Sequence, residues 1–183
     1  MSCRSAILID NFLDQSKFDN LSAKVAASSE YNTNTIVDTR DDLWTEVYTA
    51  VFERLKEIKL YQPHFDESVK LFGYNQFRPA NEGYGNFNGP HFDHGGYVFY
   101  IHPHWDETWE GKIKITNAVE EQYRNGIYAK PNRFIWIDPN TYHDVTTTAS
   151  NTSHARVANI AFLGGDIHVD PVGTTFINIL TTS

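Results

Sequence analysis

From Val69 onward the chain is a run of short segments rich in Val, Ile, Thr, Tyr, Phe and Trp, separated by clusters of Gly, Pro and Asn. Such residues fit a pleated, half-buried surface, and the frequent breakers hold each segment to strand length, so the pattern predicts an all-β sandwich or barrel. The expected strands are Leu71 to Phe77, Tyr97 to Ile101, Lys112 to Thr116, Arg133 to Ile137, Asp144 to Thr148, Arg156 to Leu163 and Thr175 to Leu180. The first third reads differently. Phe18, Leu21 and Val25 recur at helical spacing after Asp14 and Ser16, which predicts a helix over 14–28. Trp44, Tyr48, Val51, Phe52 and Leu55 follow Asp41 and Asp42 in the same way and predict a second helix over 41–58, its aromatic stripe turned to the core. The expected organisation is one domain over 1–183, with helical support over about 1–65 and a β-core over about 69–183, because no repeat, linker or low-complexity stretch divides the chain.

Inside the β-core stands Pro90-His-Phe-Asp93, with His143 some fifty positions on. If His91 and Asp93 end a strand, their i, i+2 spacing puts both side chains on one face, and His143 can close the site from a neighbouring strand. Two imidazoles and one carboxylate on one side of an ion form the facial triad of non-haem Fe(II) oxygenases. A His-x-Asp alone arises by chance, and this chain holds a second one at His168-Val-Asp170, with no histidine downstream to complete it.

The neighbourhood of the first motif is more specific. The stretch Tyr97-Val-Phe-Tyr-Ile-His-Pro-His-Trp105, the turn and strand Glu110-Gly-Lys-Ile-Lys-Ile115, the segment Arg133-Phe-Ile-Trp-Ile-Asp-Pro139 before His143, and Ala155-Arg-Val-Ala-Asn-Ile-Ala-Phe-Leu163 follow one another in order. Together these segments resemble the 2-oxoglutarate- and Fe(II)-dependent dioxygenases of the prolyl 4-hydroxylase type. The match runs from about Leu71 to Leu163, with a weaker echo at Ile7 to Leu13 that is similar to the family's opening strand and turn. Departures lie on the substrate side: the family's Leu-Asn is Ile101-His102, its Gly-Gly is Glu110-Gly111, and Lys112 follows.

The resemblance implies a double-stranded β-helix, the jelly roll of the cupin-like folds, with N-terminal helices packed on one sheet. It implies Fe(II) held by His91, Asp93 and His143, with 2-oxoglutarate and O2 as cosubstrates. Arg156 would hold the distal carboxylate of 2-oxoglutarate and the Tyr100 hydroxyl would be a second donor. The implied reaction is hydroxylation of an unactivated C–H bond. A prolyl residue in a peptide or protein is the leading substrate, and a free amino acid or other small molecule is the alternative.

Arg156 also has an argument of its own. Period-2 alternation sets it with Ala158, Ile160 and Phe162 on one strand face, the inner one, where a guanidinium is costly unless an anion meets it. The Gly- and Asn-rich stretch 78–89 is a candidate lid at the mouth of the site, with Tyr84 and Phe87 as candidate substrate contacts. His94, His102, His104, His154 and His168 are read as structural or solvated.

Composition narrows the classes. A formal net charge of −8 with no basic stripe argues against a broad phosphate-binding surface, and so against a nucleic-acid partner. The absence of a long apolar run or a secretory h-region, together with the single Cys3, leads to an expectation of a cytoplasmic protein without a membrane span. Two rival readings share the scaffold: a non-oxidative cupin-like protein holding Zn or Ni, and an oxygenase fold kept for protein interaction. Oligomeric state is not legible in the sequence.

Overall fold

The computed structural model describes residues 5–58, 72–82, 90–91, 95–137, 141–162 and 176–182. In chain order the regular elements are β1 (Ser5–Ile9), α1 (Gln15–Ala26), β2 (Val37–Thr39), α2 (Asp42–Ile58), β3 (Phe72–Arg78), β4 (Gly96–Tyr100), β5 (Ile113–Ile115), α3 (Glu121–Asn125), β6 (Phe134–Ile137), β7 (His143–Val145), β8 (Arg156–Phe162) and β9 (Asn178–Thr182). Seven strands form one sheet in the order β2-β3-β8-β4-β6-β1-β9, antiparallel except for the β1–β9 pair, and β5 and β7 form a second, two-stranded sheet. This is the mainly β, jelly-roll architecture that the sequence leads one to expect.

Alternation along the strands sorts two cores onto the two faces of the large sheet. On the outer face Ile7, Ile9, Phe77, Tyr97, Phe99, Phe134, Trp136, Val157 and Ala161 meet Phe18, Leu21 and Val25 of α1 and Val47, Ala50, Val51 and Leu55 of α2. On the inner face Leu8, Val98, Tyr100, Ile135, Ile137 and Ala158 meet Ile113 and Ile115 of β5. Both helices begin where the sequence signals them. The Asp14 carboxylate accepts from the Lys17 amide at 3.0 Å, and Asp41 accepts from the Trp44 amide at 3.0 Å, each satisfying an amide that the first helical turn leaves without a partner.

Two strands accompany the helices of the N-terminal part: β1, which overlaps the Ile7–Leu13 stretch that resembles the family's opening strand, and β2, which the sequence does not show. β1 lies between β6 and β9, and β2 pairs with β3 at the opposite edge. Ala6-Ile-Leu-Ile9 is buried throughout because helices cover one face of β1 and the second core covers the other. No described helix is long and apolar enough to cross a membrane.

Candidate metal and anion site

His91 and His143 exchange a pair of backbone hydrogen bonds, the His91 amide to the His143 carbonyl at 2.9 Å and the His143 amide to the His91 carbonyl at 3.1 Å. This antiparallel bridge sets the two side chains on one face. The imidazole centroids are 4.6 Å apart and the rings are inclined at 53°. His143 opens β7 opposite Ile115 of β5 and is 6% exposed. Its Nδ1–H donates to the Thr141 carbonyl at 2.9 Å, which fixes the tautomer and leaves the lone pair on Nε2. Metal-binding histidines are oriented by this kind of second hydrogen bond. The fold thus joins two of the three ligands that the sequence assigns. Asp93 lies outside the described residues, and among those described no three His, Cys, Asp or Glu side chains gather around one point.

Arg156 opens β8, on the inner face with Ala158 and Ile160, and is 2% exposed. Its Nε and Nη1 meet no hydrogen-bond acceptor among the described residues, and the fully buried Tyr100 hydroxyl meets no partner there either. The guanidinium lies over the Tyr100 ring, 5.2 Å from its centroid. Burial raises the Tyr100 pKa, and the charges of Arg156, Arg133 and Arg78 oppose that rise. Buried donors that meet no acceptor fit an anion, and a planar guanidinium fork packed on a tyrosine fits a carboxylate.

The loop before β5 closes over the arginine. Gly111 has φ +67°, and a Cβ there would stand 3.0 Å from the Arg156 Cδ and 3.2 Å from the Thr148 Cγ2. Glu110, where the resembled family has the first of two glycines, takes φ 59° and ψ −137°, a region that side chains rarely enter. The Trp105 indole N–H donates to the Glu110 carbonyl at 3.0 Å. The turn therefore keeps a Gly-Gly backbone path with a glutamate in its first position.

A second arginine faces the first. Arg78 ends β3, directly opposite Arg156 in the β3–β8 register, and is 1% exposed. Its Nη2 donates to the Gln76 Oε1 at 3.0 Å, and the Gln76 Nε2 donates to Asp38 at 3.3 Å. The strand expected from sequence stops one residue earlier, at Phe77, and counts Arg78 as the first residue of the candidate lid; the structure places it in the sheet instead. The signal is the alternation Tyr74, Gln76, Arg78, obscured by polar Asn75 on the other face.

His102 is buried and structural: its Nε2–H donates to the Ala129 carbonyl at 2.7 Å and its Nδ1 accepts from the Val157 amide at 3.0 Å. Burial pulls its pKa down to about 3. His104 is exposed, and His154 is half-buried against Tyr31 with ring centroids 4.4 Å apart. His94, His168, Asp170 and the loop residues Tyr84 and Phe87 lie outside the described residues. The near end of that loop is anchored: the Thr148 carbonyl accepts from the Asn81 amide at 3.0 Å, and the Thr148 hydroxyl accepts from the Glu82 amide at 3.2 Å.

No family model and no curated protein sequence matches this chain. Solved structures do. A Pseudomonas putida prolyl 4-hydroxylase superposes with a TM-score of 0.58 at 13% identity, over 89% of this chain and 94% of that one. A viral collagen prolyl hydroxylase from Paramecium bursaria Chlorella virus-1, in its 2-oxoglutarate complex, gives 0.52 at 14% identity, over 85% and 94% of the two chains. A Trichoplax adhaerens prolyl hydroxylase bound to a hypoxia-inducible-factor oxygen-degradation-domain peptide fragment gives 0.52 at 15% identity, over 85% and 81%. The class so defined is the double-stranded β-helix. Within that class, the fold of this chain is that of the prolyl 4-hydroxylases, as the sequence resemblance implies.

Proposed function

We propose that this chain is an Fe(II)- and 2-oxoglutarate-dependent dioxygenase that hydroxylates an unactivated C–H bond, with a prolyl residue of a peptide or protein as its substrate. The observation that carries the reading is the buried Arg156 guanidinium beside the buried Tyr100 hydroxyl, each with polar atoms that find no partner among the described residues. A non-oxidative cupin has no need of an anion clamp in its interior, whereas a dioxygenase that consumes a dicarboxylate does.

In this reading the His91 and His143 imidazoles and the Asp93 carboxylate hold the metal, a donor set suited to Fe(II) that leaves other positions open. When bound, Fe(II) and 2-oxoglutarate supply the oxidant: O2 is split, one oxygen atom passing into succinate as CO2 leaves and the other into the new hydroxyl group. Arg156 and Tyr100 would hold the distal carboxylate of a bound 2-oxoglutarate. The Thr141 carbonyl keeps the Nδ1 proton of His143 in place and its Nε2 lone pair available as donor. The apolar inner core around Val98, Ile113, Ile115 and Ile137 excludes water from the interior. Peptidyl proline is favoured because the fold neighbours are prolyl hydroxylases, one of them in complex with a peptide fragment.

Anaerobic titration of the metal-free protein with Fe(II) and 2-oxoglutarate tests the site. The weak visible charge-transfer band of the chelate should develop in the wild type and be absent in His143→Ala. A wild type that binds the metal tightly yet gives no band would return the lead to the metal-binding cupin. Substrate class follows from 2-oxoglutarate turnover with proline-containing peptides against free amino acids, and stimulation by free amino acids alone would overturn the peptidyl assignment.

A further inference from the structure

Thr141 lies two residues before His143 and is wholly buried, and its Oγ1 meets no hydrogen-bond partner among the described residues. Leaving a buried hydroxyl unpaired costs stability, and a valine of the same shape would fill the space without that cost. The chain around it is pinned. Between Thr141 and His143, the Tyr142 amide donates to the Asn117 Oδ1 at 2.9 Å and the Tyr142 carbonyl accepts from the Thr116 amide at 2.7 Å. Thr141 and His143 are buried while Tyr142 is partly exposed, the alternation of extended chain that sets residues i and i+2 on one face. The Thr141 carbonyl already accepts the Nδ1–H of His143 at 2.9 Å. The same residue therefore orients the imidazole with its backbone and brings an unspent donor to the imidazole's side of the chain.

We propose that Thr141 is a positioning residue of the metal site: its hydroxyl donates a hydrogen bond to a carboxylate oxygen bound to the metal. This rests on the functional reading above, in which His143 is a ligand of Fe(II). An imidazole that binds a metal spends its lone pair there, so the acceptors such a centre leaves over are oxygens. A ligating carboxylate keeps lone pairs that the metal does not take, and these are hydrogen-bonded in turn by neighbouring donors. Two carboxylates come to the metal in this reading, the side chain of Asp93 and the keto-acid end of 2-oxoglutarate, and either supplies the acceptor. A hydroxyl suits the task because it adds a donor without changing the charge of the site. The unpaired hydroxyl of the metal-free protein is then paired when the metal and its oxygen ligands are in place.

Calorimetric titration of the metal-free protein with Co(II), and then of the Co(II)-loaded protein with 2-oxoglutarate, tests this in wild type, Thr141→Val and Thr141→Ser. Valine keeps the shape and drops the hydroxyl, whereas serine keeps the hydroxyl. Losing an outer partner of a metal ligand weakens binding by roughly 10–100-fold, so Thr141→Val should bind one of the two ligands at least about tenfold more weakly. A loss in Co(II) affinity assigns the hydrogen bond to the protein carboxylate; a loss confined to 2-oxoglutarate assigns it to the cosubstrate. Thr141→Ser should stay close to wild type for both ligands. The Tm of metal-free Thr141→Val should equal or exceed that of wild type, because the hydroxyl removed has no partner there. The inference is overturned if Thr141→Val binds both ligands as wild type does, or if Thr141→Ser is as weak as Thr141→Val, which would make packing responsible. A lower Tm in metal-free Thr141→Val overturns it too, since the hydroxyl would then be paired before the metal arrives. The dioxygenase reading is judged separately: a wild type that binds Co(II) but not 2-oxoglutarate removes that reading, and the Co(II) affinities still decide Thr141. A wild type that binds no metal removes both.

Discussion

A guanidinium keeps its proton at every pH that a folded protein survives, so the burial of Arg156 is a standing cost until an oxyanion meets it. Charge-assisted hydrogen bonds of this kind contribute roughly 1.5–3 kcal/mol each. Arg156→Gln should therefore weaken 2-oxoglutarate binding by on the order of 100-fold while leaving Fe(II) affinity within a few-fold, which calorimetric titration of each ligand would measure. Equal losses of both would contradict the assignment. Glu110 shows a different cost at the same scale. Its positive φ with ψ −137° strains a residue that has a Cβ, and its contact with Lys112 is a weak, partly exposed one at 3.9 Å. Glu110→Gly relieves the strain and gives back part of the gain as unfolded-chain entropy, for a net stabilisation of about 1 kcal/mol. In a chain of this size that is a rise in Tm of roughly 2–4 °C by scanning calorimetry, and an unchanged or lower Tm would show that the turn is not strained.

At the scale of elements, His102 is the joint between the end of β4, the turn at Ala129 and the start of β8. Both of its hydrogen bonds need the neutral ring, because a protonated Nδ1 would point a donor at the Val157 amide. Its pKa is depressed from the ordinary histidine value of 6.5 to about 3, so its contribution to stability is complete above pH 6.5 and is lost as pH falls from there towards 3. The slope approaches roughly 1.4 kcal/mol per pH unit, and His154, whose pKa is also lowered by burial, adds to it. Urea unfolding measured between pH 7 and pH 4 should show this loss in the wild type and a flatter profile in His102→Gln; parallel profiles would place the acid sensitivity elsewhere. The sequence marks His102 as structural or solvated but gives no sign of its two partners, which are 27 and 55 positions away. Elements were legible where periodicity was strong, as in α1, α2, β4, β6 and β8. β2 was not, because Val37-Asp-Thr39 is too short to show alternation, and neither was the one-turn α3. β7 came out shorter than expected: after Val145 the threonines turn aside to bind Lys112 and the loop stem through their hydroxyls, uses that a β-branched run conceals.

For the whole molecule the main fact is the division of labour between the two faces of one sheet. Helices and outer-face aromatics form a layer that carries stability, while the inner face carries the buried Arg156 and Tyr100 of the proposed clamp. That division is written into strand alternation, which is why Arg156 could be set on the inner face from sequence alone. The cross-strand register that brings Arg78 opposite it belongs to tertiary pairing, 78 positions apart, and no local pattern records it. The two layers make a testable separation. Phe12 is 1% exposed and stacks on Phe134 at 4.4 Å in the helix layer, and Val98 lies on the inner face two residues before Tyr100. Phe12→Leu should lose about 1–2 kcal/mol by cavity formation and yet bind 2-oxoglutarate with unchanged affinity at a temperature where it remains folded. Val98→Ala, with a comparable loss of stability, removes packing beside the Tyr100 ring and should weaken 2-oxoglutarate binding severalfold as well. If Phe12→Leu weakens binding as much as Val98→Ala does, the sheet transmits strain between its faces and the clamp is not insulated from the helix layer. A stability loss confined to the outer layer would instead mean that the helices can vary freely while the inner face keeps its arginines.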